Sequence, residues 1–211
     1  MTPEASTATE IVDGMHPMER HIKRAFDVLA AVALIVVLSP VLLAIAVLLK
    51  IKAPGPVFYH QERIGYHGRP FQIFKFRTMS LDAECDGRPQ LVQKDDPHLL
   101  PLGSFLREHH LDELPQLFNI LRGDMSFVGP RPERRYFIDQ IMQHNSDYRY
   151  IYLMRPGTTS MATLYNGYTD TIDKMLIRLQ MDLDYYRHRS LALDAKIIFV
   201  TAKFILFGKK F

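Results

Sequence analysis

Two adjacent acids, Asp112 and Glu113, stand directly before a segment with helical apolar spacing. Carboxylate oxygens suit Mg2+ better than zinc, and a carboxylate can also act as a nucleophile. The pair therefore predicts a site that binds a divalent cation and attacks an electrophilic substrate. A structural interpretation stays open, because Pro115 favours the first turn of a helix, where Asp112 would be a good N-cap and Glu113 a favourable first-turn acid.

Four basic residues are candidates for binding phosphate groups near this pair. Lys75 and Arg77 share one face of a predicted strand, and Arg107 precedes the acidic pair in sequence. Arg131 stands between two prolines, which fixes the backbone under a bidentate phosphate donor. The residues alone favour a solvated strand edge for Lys75 and Arg77, and for Arg131 they equally allow an arginine at the rim of a site.

An apolar run over residues 25–49 carries a single charge, that of Asp27. The run is long enough to cross a bilayer, but Ser39 and Pro40 lie in its middle, and proline interrupts helical hydrogen bonding. Basic residues flank both ends, which fits a segment that enters and leaves the membrane on the cytoplasmic face. A kinked spanning helix is the alternative, since membrane helices tolerate proline.

Composition excludes several classes of protein. With 23% charged and 47% hydrophobic residues the chain is neither disordered nor fibrous. Its lone cysteine excludes an intramolecular disulfide framework and any multi-cysteine zinc site. A net charge of +3 gives no indication of nucleic-acid binding. We divide the chain into a mobile tail at residues 1–19, a membrane helix at 20–52 and a domain at 53–211 that carries the candidate site.

The strand and helix patterns of the segments that must position the site predict an α+β fold that is mostly helical. Residues 57–79 form two strands around a turn, giving a small β-hairpin. An amphipathic helix follows at 172–189, with its acids Asp182 and Asp184 expected to face solvent. The last helix, at 191–207, is very apolar and suits either the headgroup region of a membrane or half burial against the domain.

The motifs occur in an order that resembles a known family. In chain order they are Ser39-Pro40, KFRTM at 75–79, LDELPQLFN at 111–119, GDMSFVGPRP at 123–132 and RPG at 155–157. This order resembles the bacterial sugar transferase family, the monotopic polyprenyl-phosphate phosphoglycosyl transferases. The resemblance extends over residues 22–207, nearly the whole chain.

The resemblance implies a reaction and a set of roles. These enzymes move a sugar-1-phosphate from a nucleoside diphosphate sugar, here a UDP-sugar, to undecaprenyl phosphate and release UMP. Asp112 would be the nucleophile of a ping-pong mechanism through an aspartyl–phosphosugar intermediate, and Glu113 would help to hold Mg2+. Ser39 and Pro40 would break a re-entrant membrane helix. The product would begin a capsule, exopolysaccharide, O-antigen or glycoprotein glycan.

The same resemblance implies a setting for the chain. It would lie on the cytoplasmic face of the bacterial inner membrane, with amphipathic interfacial helices against the membrane lipids. A homodimer and downstream glycosyltransferases are further implied partners, and no nucleic acid is expected. The competing hypothesis is a non-catalytic membrane scaffold of a glycan assembly complex, which the intact acidic pair disfavours.

The chain departs from the family pattern after residues 155–157. Many members continue Ile-Thr-Gly-Trp-Ala-Gln-Val-Asn-Gly-Arg, but here Met161 replaces the expected Trp and Tyr168 the expected Arg. We therefore expect contacts with the donor sugar or nucleotide to differ in residues 158–168.

Overall fold

A computed structural model describes residues 11–81, 83, 96–167, 169 and 171–207 of the chain. Within these residues the protein is mostly helical, with two small two-stranded sheets. The predicted mostly helical α+β class with a β-hairpin is confirmed. Residues 1–10 of the predicted tail and Tyr168 of the departing segment lie outside the described residues.

Seven α-helices and four strands make up the described part of the chain. The helices are α1 (Pro17–Lys52), α2 (Gly103–Glu108), α3 (Gln116–Arg122), α4 (Arg135–His144), α5 (Met161–Tyr165), α6 (Ile172–His188) and α7 (Leu191–Phe207). The strands are β1 (Phe58–Ile64), β2 (Pro70–Phe76), β3 (Ser126–Val128) and β4 (Gly157–Thr159). Short 3₁₀ segments cover Tyr66–Gly68, Leu111–Glu113 and Ser146–Leu153. β1 and β2 pair antiparallel as the hairpin, whereas β3 and β4 pair parallel.

Helix α1 begins earlier than the sequence predicts. Pro17 occupies the start of the helix, where proline needs no backbone partner, and the His16 side chain caps it. Before the helix, Ile11 and Met15 are buried. The predicted boundary at residue 20 therefore falls inside an ordered helix, and packing against the domain begins by Ile11.

One face of α1 packs on the domain through a stripe with alternating spacings of four and three residues. The stripe consists of Ala31, Ile35, Leu38, Leu42, Ile45 and Leu49. Such spacing keeps one side of a helix in continuous contact with a neighbour. On other faces Leu29, Val36, Val37 and Leu43 stay exposed. Within the described residues α1 is the helix long and apolar enough to cross a membrane.

The helix continues through the predicted break. Pro40 has no N–H to donate to the carbonyl of Val36, four residues earlier. The Ser39 hydroxyl donates to that same carbonyl oxygen over 2.8 Å. The serine thus supplies the hydrogen bond that proline removes, and α1 remains one helix of 36 residues.

The polar residues in the first third of α1 bind the backbone of β3. Asp27 is only 2% exposed, and its Oδ1 accepts the N–H of Phe127 at 3.1 Å. One turn earlier, the ammonium of Lys23 donates to the carbonyl of Val128 over 2.9 Å. A buried carboxylate is unfavourable unless it is hydrogen-bonded, and β3 supplies that bond.

The same region of α1 also reaches α3 and α7. Arg24 donates to the carbonyls of Ile120 and Leu121, which lie at the end of α3 where helix carbonyls lack intrahelical partners. Lys23 forms a 2.5 Å ion pair with Asp194 of α7. We call Lys23, Arg24 and Asp27 the polar anchor, since they join α1 to three separate elements.

The largest apolar core lies between α4, the 3₁₀ segment Ser146–Leu153, α6 and α7. Its buried members from α6 include Met175, Leu179, Leu183 and Tyr186, four of the apolar positions that the amphipathic pattern predicts. The bounds of α6 and α7 agree with the predicted helices to within one residue.

Replacement of Asp27 by alanine tests the polar anchor. Asp27→Ala leaves the buried N–H of Phe127 without its acceptor, which we expect to destabilise the protein by about 1–3 kcal/mol. Thermal unfolding in detergent micelles measures the change. The exposed Asp184→Ala variant is the matched control and should unfold like the wild type; equal melting temperatures for all three proteins would contradict the anchor.

Candidate active site

The acidic pair and Lys75 meet where β2 faces the 3₁₀ segment Leu111–Glu113. The ammonium of Lys75 lies 2.5 Å from Glu113 Oε1 and 3.8 Å from Asp112 Oδ2. The β-hairpin fixes Lys75 opposite Tyr59, so the lysine is held on a paired strand. One cation therefore contacts both predicted catalytic acids.

The backbone around the pair explains why the two acids reach the same cation. His110 adopts the left-handed conformation with φ of 54°, and the 3₁₀ segment follows it immediately. Helix α3 then begins at Gln116, with Pro115 as its N-cap and no side-chain capping bond. The acids thus lie before the helix and do not cap it, so the interpretation of Asp112 as an N-cap and Glu113 as a first-turn acid is wrong.

The surroundings drive the pKa values of the two acids apart. Burial raises the pKa of Asp112; the charge of Lys75 opposes this rise and that of Glu113 adds to it. Burial also favours the neutral form of Glu113, but Lys75 and Arg131 outweigh it and lower its pKa to about 2. Glu113 is therefore a permanent anion suited to hold a cation, whereas Asp112 is the more basic carboxylate.

Two further predicted cations act on the pair. The charge of Arg107 lowers the pKa of Asp112, and that of Arg131 lowers the pKa of Glu113. Arg107 contacts the Met79 sulfur over 3.6 Å. In the structure the charges of Lys75, Arg107 and Arg131 therefore all act on the acidic pair.

Arg77 is not brought to the acids. Its guanidinium donates to the carbonyls of Ala53 and Pro54 over 2.7 and 2.9 Å, and the residue is only 5% exposed. The backbone N–H of Arg77 still donates to the Val57 carbonyl over 2.9 Å, just beyond the end of β2, so it is the side-chain contacts with the chain after α1 that separate Arg77 from the acids. In this structure Arg77 binds the chain just after α1, in place of the predicted phosphate contact.

A pocket opens beside Glu113. Lys75 and Arg131 line it together with four residues that sequence reasoning missed: Arg63, Gln116, Thr158 and Thr163. Their types carry no specific chemical signal, although Gln116 lies within LDELPQLFN and the threonines lie in the segment that departs from the family pattern. Gly129 and Gly157 approach too closely for either to carry a Cβ, and the lining residues Arg131 and Thr158 follow these glycines in sequence.

A comparison with protein families covers this whole arrangement. The model described as bacterial sugar transferase matches residues 18–208, which contain the acidic pair and every pocket residue. The chain belongs to the bacterial sugar transferase family. The resemblance seen in the sequence motifs is confirmed.

Several relatives with named functions are similar to this family member. A UDP-N-acetylgalactosamine-undecaprenyl-phosphate N-acetylgalactosaminephosphotransferase of Aeromonas hydrophila is 43% identical over 91% of the chain and 45% of its own length. A UDP-glucose:undecaprenyl-phosphate glucose-1-phosphate transferase of Escherichia coli (strain K12) is 40% identical over 87% of the chain and 40% of its own length. The exopolysaccharide production protein PSS of Rhizobium leguminosarum bv. phaseoli is 39% identical over 87% of the chain and 94% of its own length. The chain thus spans less than half the length of the first two relatives.

Asp112 and Glu113 could hold a magnesium ion whose remaining ligands come from water and substrate. Mg2+ is commonly held by one or two carboxylates together with water and substrate phosphates. Asp112 and Glu113 provide two such carboxylates on one turn. Within the described part of the chain no cluster of three or more His, Cys, Asp or Glu side chains could hold a metal alone.

A second cluster of charged side chains contains Asp182, which the sequence predicts to face solvent. That prediction is wrong. Asp184 is exposed as predicted, but Asp182 is only 4% exposed, and its Oδ1 has no hydrogen-bond partner within the described residues. Nearby, Glu133 pairs with Arg178 at 3.0 Å and with Arg63 at 3.6 Å. Burial raises the pKa of Asp182 to about 7, Arg178 opposes this rise, and Glu133 adds to it. Helical spacing alone could not place Asp182, because it lies beside apolar positions on α6.

The raised pKa of Asp182 predicts how stability changes with pH. The folded protein binds the Asp182 proton more tightly than the unfolded chain does. The stabilisation that the protonated carboxyl contributes is therefore complete below its ordinary pKa of 3.8 and is lost as pH rises through about 7. Asp182→Asn cannot ionise. The melting temperature of Asp182→Asn minus that of the wild type should therefore increase from pH 5 to pH 8.

Differential scanning fluorimetry at a series of pH values measures this difference, with exposed Asp184→Asn as the matched control. A pH-independent difference for Asp182→Asn would contradict the burial of an ionisable carboxyl at this position.

Proposed function

We propose that the chain transfers a sugar-1-phosphate from a UDP-sugar to undecaprenyl phosphate and releases UMP. The observation that carries this proposal is the contact of Asp112 and Glu113 with the single cation of Lys75, with Arg107 and Arg131 close by. The activities for which the relatives from Aeromonas hydrophila and Escherichia coli are named support the same reaction. The competing scaffold hypothesis needs none of these charged residues near one another.

In the first proposed step, a carboxylate oxygen of Asp112 attacks the sugar-bearing phosphorus of the donor. The bond from that phosphorus to the bridging oxygen breaks, and the electron pair leaves with UMP. The product is an aspartyl–phosphosugar. A carboxylate approaches an anionic diphosphate only where positive charge offsets the repulsion, which Lys75, Arg107 and Arg131 provide.

In the second proposed step, a phosphate oxygen of undecaprenyl phosphate attacks the same phosphorus. The Asp112 carboxylate leaves with its electron pair, and the product is undecaprenyl diphosphate sugar. The lipid phosphate is already an anion, so this step needs no general base. Two successive acceptors at one site require ping-pong kinetics.

Asp112 and Glu113 are the residues that would hold Mg2+ in this proposal. When bound, Mg2+ would offset charge on the diphosphate and on the leaving phosphate. Glu113 suits the role of a cation ligand because it is ionised under all ordinary conditions. Lys75 holds both carboxylates on one side, which orients their remaining oxygens.

We further propose that α1 is a re-entrant helix and that the chain is monotopic. Ala31 and Leu49 both pack on the domain, and eighteen residues of helix separate them by about 27 Å. A helix that crossed a hydrocarbon layer of about 30 Å could not keep both contacts with a domain in water. The exposed apolar side chains of α1 would instead meet lipid from one side.

The proposed setting is the cytoplasmic face of the bacterial inner membrane, where a soluble nucleotide sugar and a lipid phosphate can meet. Exposed Phe199 and Phe207 on α7 suit an interfacial helix. There the reaction would start a capsule, exopolysaccharide, O-antigen or glycoprotein glycan. A homodimer and downstream glycosyltransferases complete the proposed set of partners.

Replacement of the proposed nucleophile tests the reaction. Asp112→Asn keeps the size of the side chain but removes its charge, so we expect UMP release to fall at least about a thousandfold. The assay contains the full chain, Mg2+, undecaprenyl phosphate and a panel of UDP-sugars. Exposed Asp184→Asn is the matched control and should retain wild-type release.

Two results would refute the assignment. Full activity of Asp112→Asn would exclude this residue as nucleophile. Absence of UMP release by the wild type with every donor in the panel would favour the scaffold hypothesis.

Cysteine labelling tests the re-entrant course. Met18 and Ile51 are exposed near opposite ends of α1, so Met18→Cys and Ile51→Cys are made separately in a Cys85→Ser background. A membrane-impermeant maleimide should label neither cysteine in intact cells, because both ends face the cytoplasm, and should label both in inverted vesicles. Labelling of the two positions from opposite sides would show a spanning helix.

A further inference from the structure

The segment that carries Arg131 is bound to its neighbours on both sides of that residue. The Gly157 N–H donates to the carbonyl of Pro130 over 2.9 Å, and the Arg63 guanidinium donates to the carbonyl of Pro132 over 3.1 Å. The two prolines also restrict the backbone, because the proline ring fixes φ. The backbone of Arg131 therefore has a set position, and its side chain is the part that can move.

Glu133 joins two arginines next to this segment. The Arg178 guanidinium donates to Glu133 Oε1 over 3.0 Å, and a guanidinium nitrogen of Arg63 lies 3.6 Å from Glu133 Oε2. All three side chains are largely buried. Buried charges are tolerated only as hydrogen-bonded pairs, so the carboxylate of Glu133 is the partner that both arginines need.

Arg131 is a third guanidinium whose charge acts on the same two arginines. Burial lowers the pKa of Arg63 to about 10 and also lowers that of Arg178; Glu133 opposes both falls, and the charge of Arg131 adds to them. The three cations thus repel one another, and Glu133 offsets this repulsion. Arg131 is the exposed member of the three, so its side chain is the one that would move away if the carboxylate were lost.

Arg131 also belongs to the candidate active site. It lines the pocket beside Glu113 together with Lys75, and it lines a second cavity together with Glu133 and Arg178. Arg131 is thus common to the two groups of charged side chains. A change in charge at Glu133 can therefore reach Glu113 through the position of one guanidinium.

We propose that Glu133 is a positioning residue that, through Arg63 and Arg178, keeps the guanidinium of Arg131 beside Glu113 to bind a phosphate of the donor. The inference rests on the proposed function for the phosphate-binding role of Arg131. It adds a carboxylate that need not touch the substrate. An anion in direct contact with a diphosphate would repel it, so Glu133 aids binding only by acting on the arginines.

A double-mutant cycle tests whether Glu133 acts through Arg131. The full chain in lipid nanodiscs with Mg2+ is titrated with inorganic pyrophosphate by calorimetry, and UMP release from UDP-sugars is assayed separately. Glu133→Gln keeps the size of the side chain but removes its charge, so the Kd of pyrophosphate should rise about tenfold. In an Arg131→Gln background the same substitution should change Kd less than about twofold, because the residue it acts through is gone.

A charge-balanced variant separates this role from a structural one. Glu133→Gln combined with Arg178→Met removes one anion and one cation, so the net charge equals that of the wild type. Its Kd should return to within about threefold of the wild-type value, because the repulsion on Arg131 is relieved. If Glu133→Gln alone is too unstable to assay, this double variant decides the question, since weak binding by it would overturn the inference.

Asp13→Asn is the matched control. Asp13 pairs with the largely buried Arg189 at 2.6 Å in another part of the domain. Loss of that pair should lower the melting temperature but leave the Kd of pyrophosphate at the wild-type value.

Three results would overturn the inference. They are an unchanged Kd in Glu133→Gln, an equal rise in Kd with and without Arg131, and no pyrophosphate binding by the wild type. The activity assay is read separately. No UMP release by the wild type, together with the expected pattern of pyrophosphate affinities, would remove the proposed function and leave Glu133 as the positioning residue of an anion site.

Discussion

Two carboxylates on consecutive residues of a largely buried turn repel each other, and the fold must supply enough positive charge to keep both in place. Asp112 and Glu113 achieve this through Lys75, whose ammonium lies within 3.8 Å of both. Lys75 lies on β2, Arg107 on α2 and Arg131 in the segment after β3. Separate elements must therefore pack correctly before the acids can coexist, which makes the site a product of the whole domain.

The polar anchor links this charge balance to the membrane helix. Asp27 and Lys23 bind neighbouring backbone groups of β3, and Arg131 follows the end of that strand by three residues. The position of α1 and the position of a proposed phosphate-binding arginine are thus set by the same short strand. Under the proposed function, this link would let the depth of α1 in a bilayer set the height of the site above it.

The sequence was sufficient for groups whose chemistry is visible in their type. Asp112, Glu113, Lys75 and Arg131 were predicted together, and the helical and hairpin segments followed from apolar spacing. It was insufficient where tertiary packing overrides a local pattern: the carbonyls of Ala53 and Pro54 bind the Arg77 guanidinium, which strand alternation could not predict. Neutral pocket residues went unnoticed for a different reason, since glutamine and threonine occur everywhere on protein surfaces and only three-dimensional proximity distinguishes these.

The Ser39 hydroxyl that binds the carbonyl of Val36 has a consequence for biogenesis. A carbonyl left free by proline would need water or a neighbouring helix to satisfy it, and hydrocarbon offers neither. Because Ser39 lies one residue before Pro40, its hydroxyl reaches the Val36 carbonyl from within α1 itself. A nascent α1 would therefore carry its own partner for this carbonyl into an apolar layer, whatever the state of the rest of the domain.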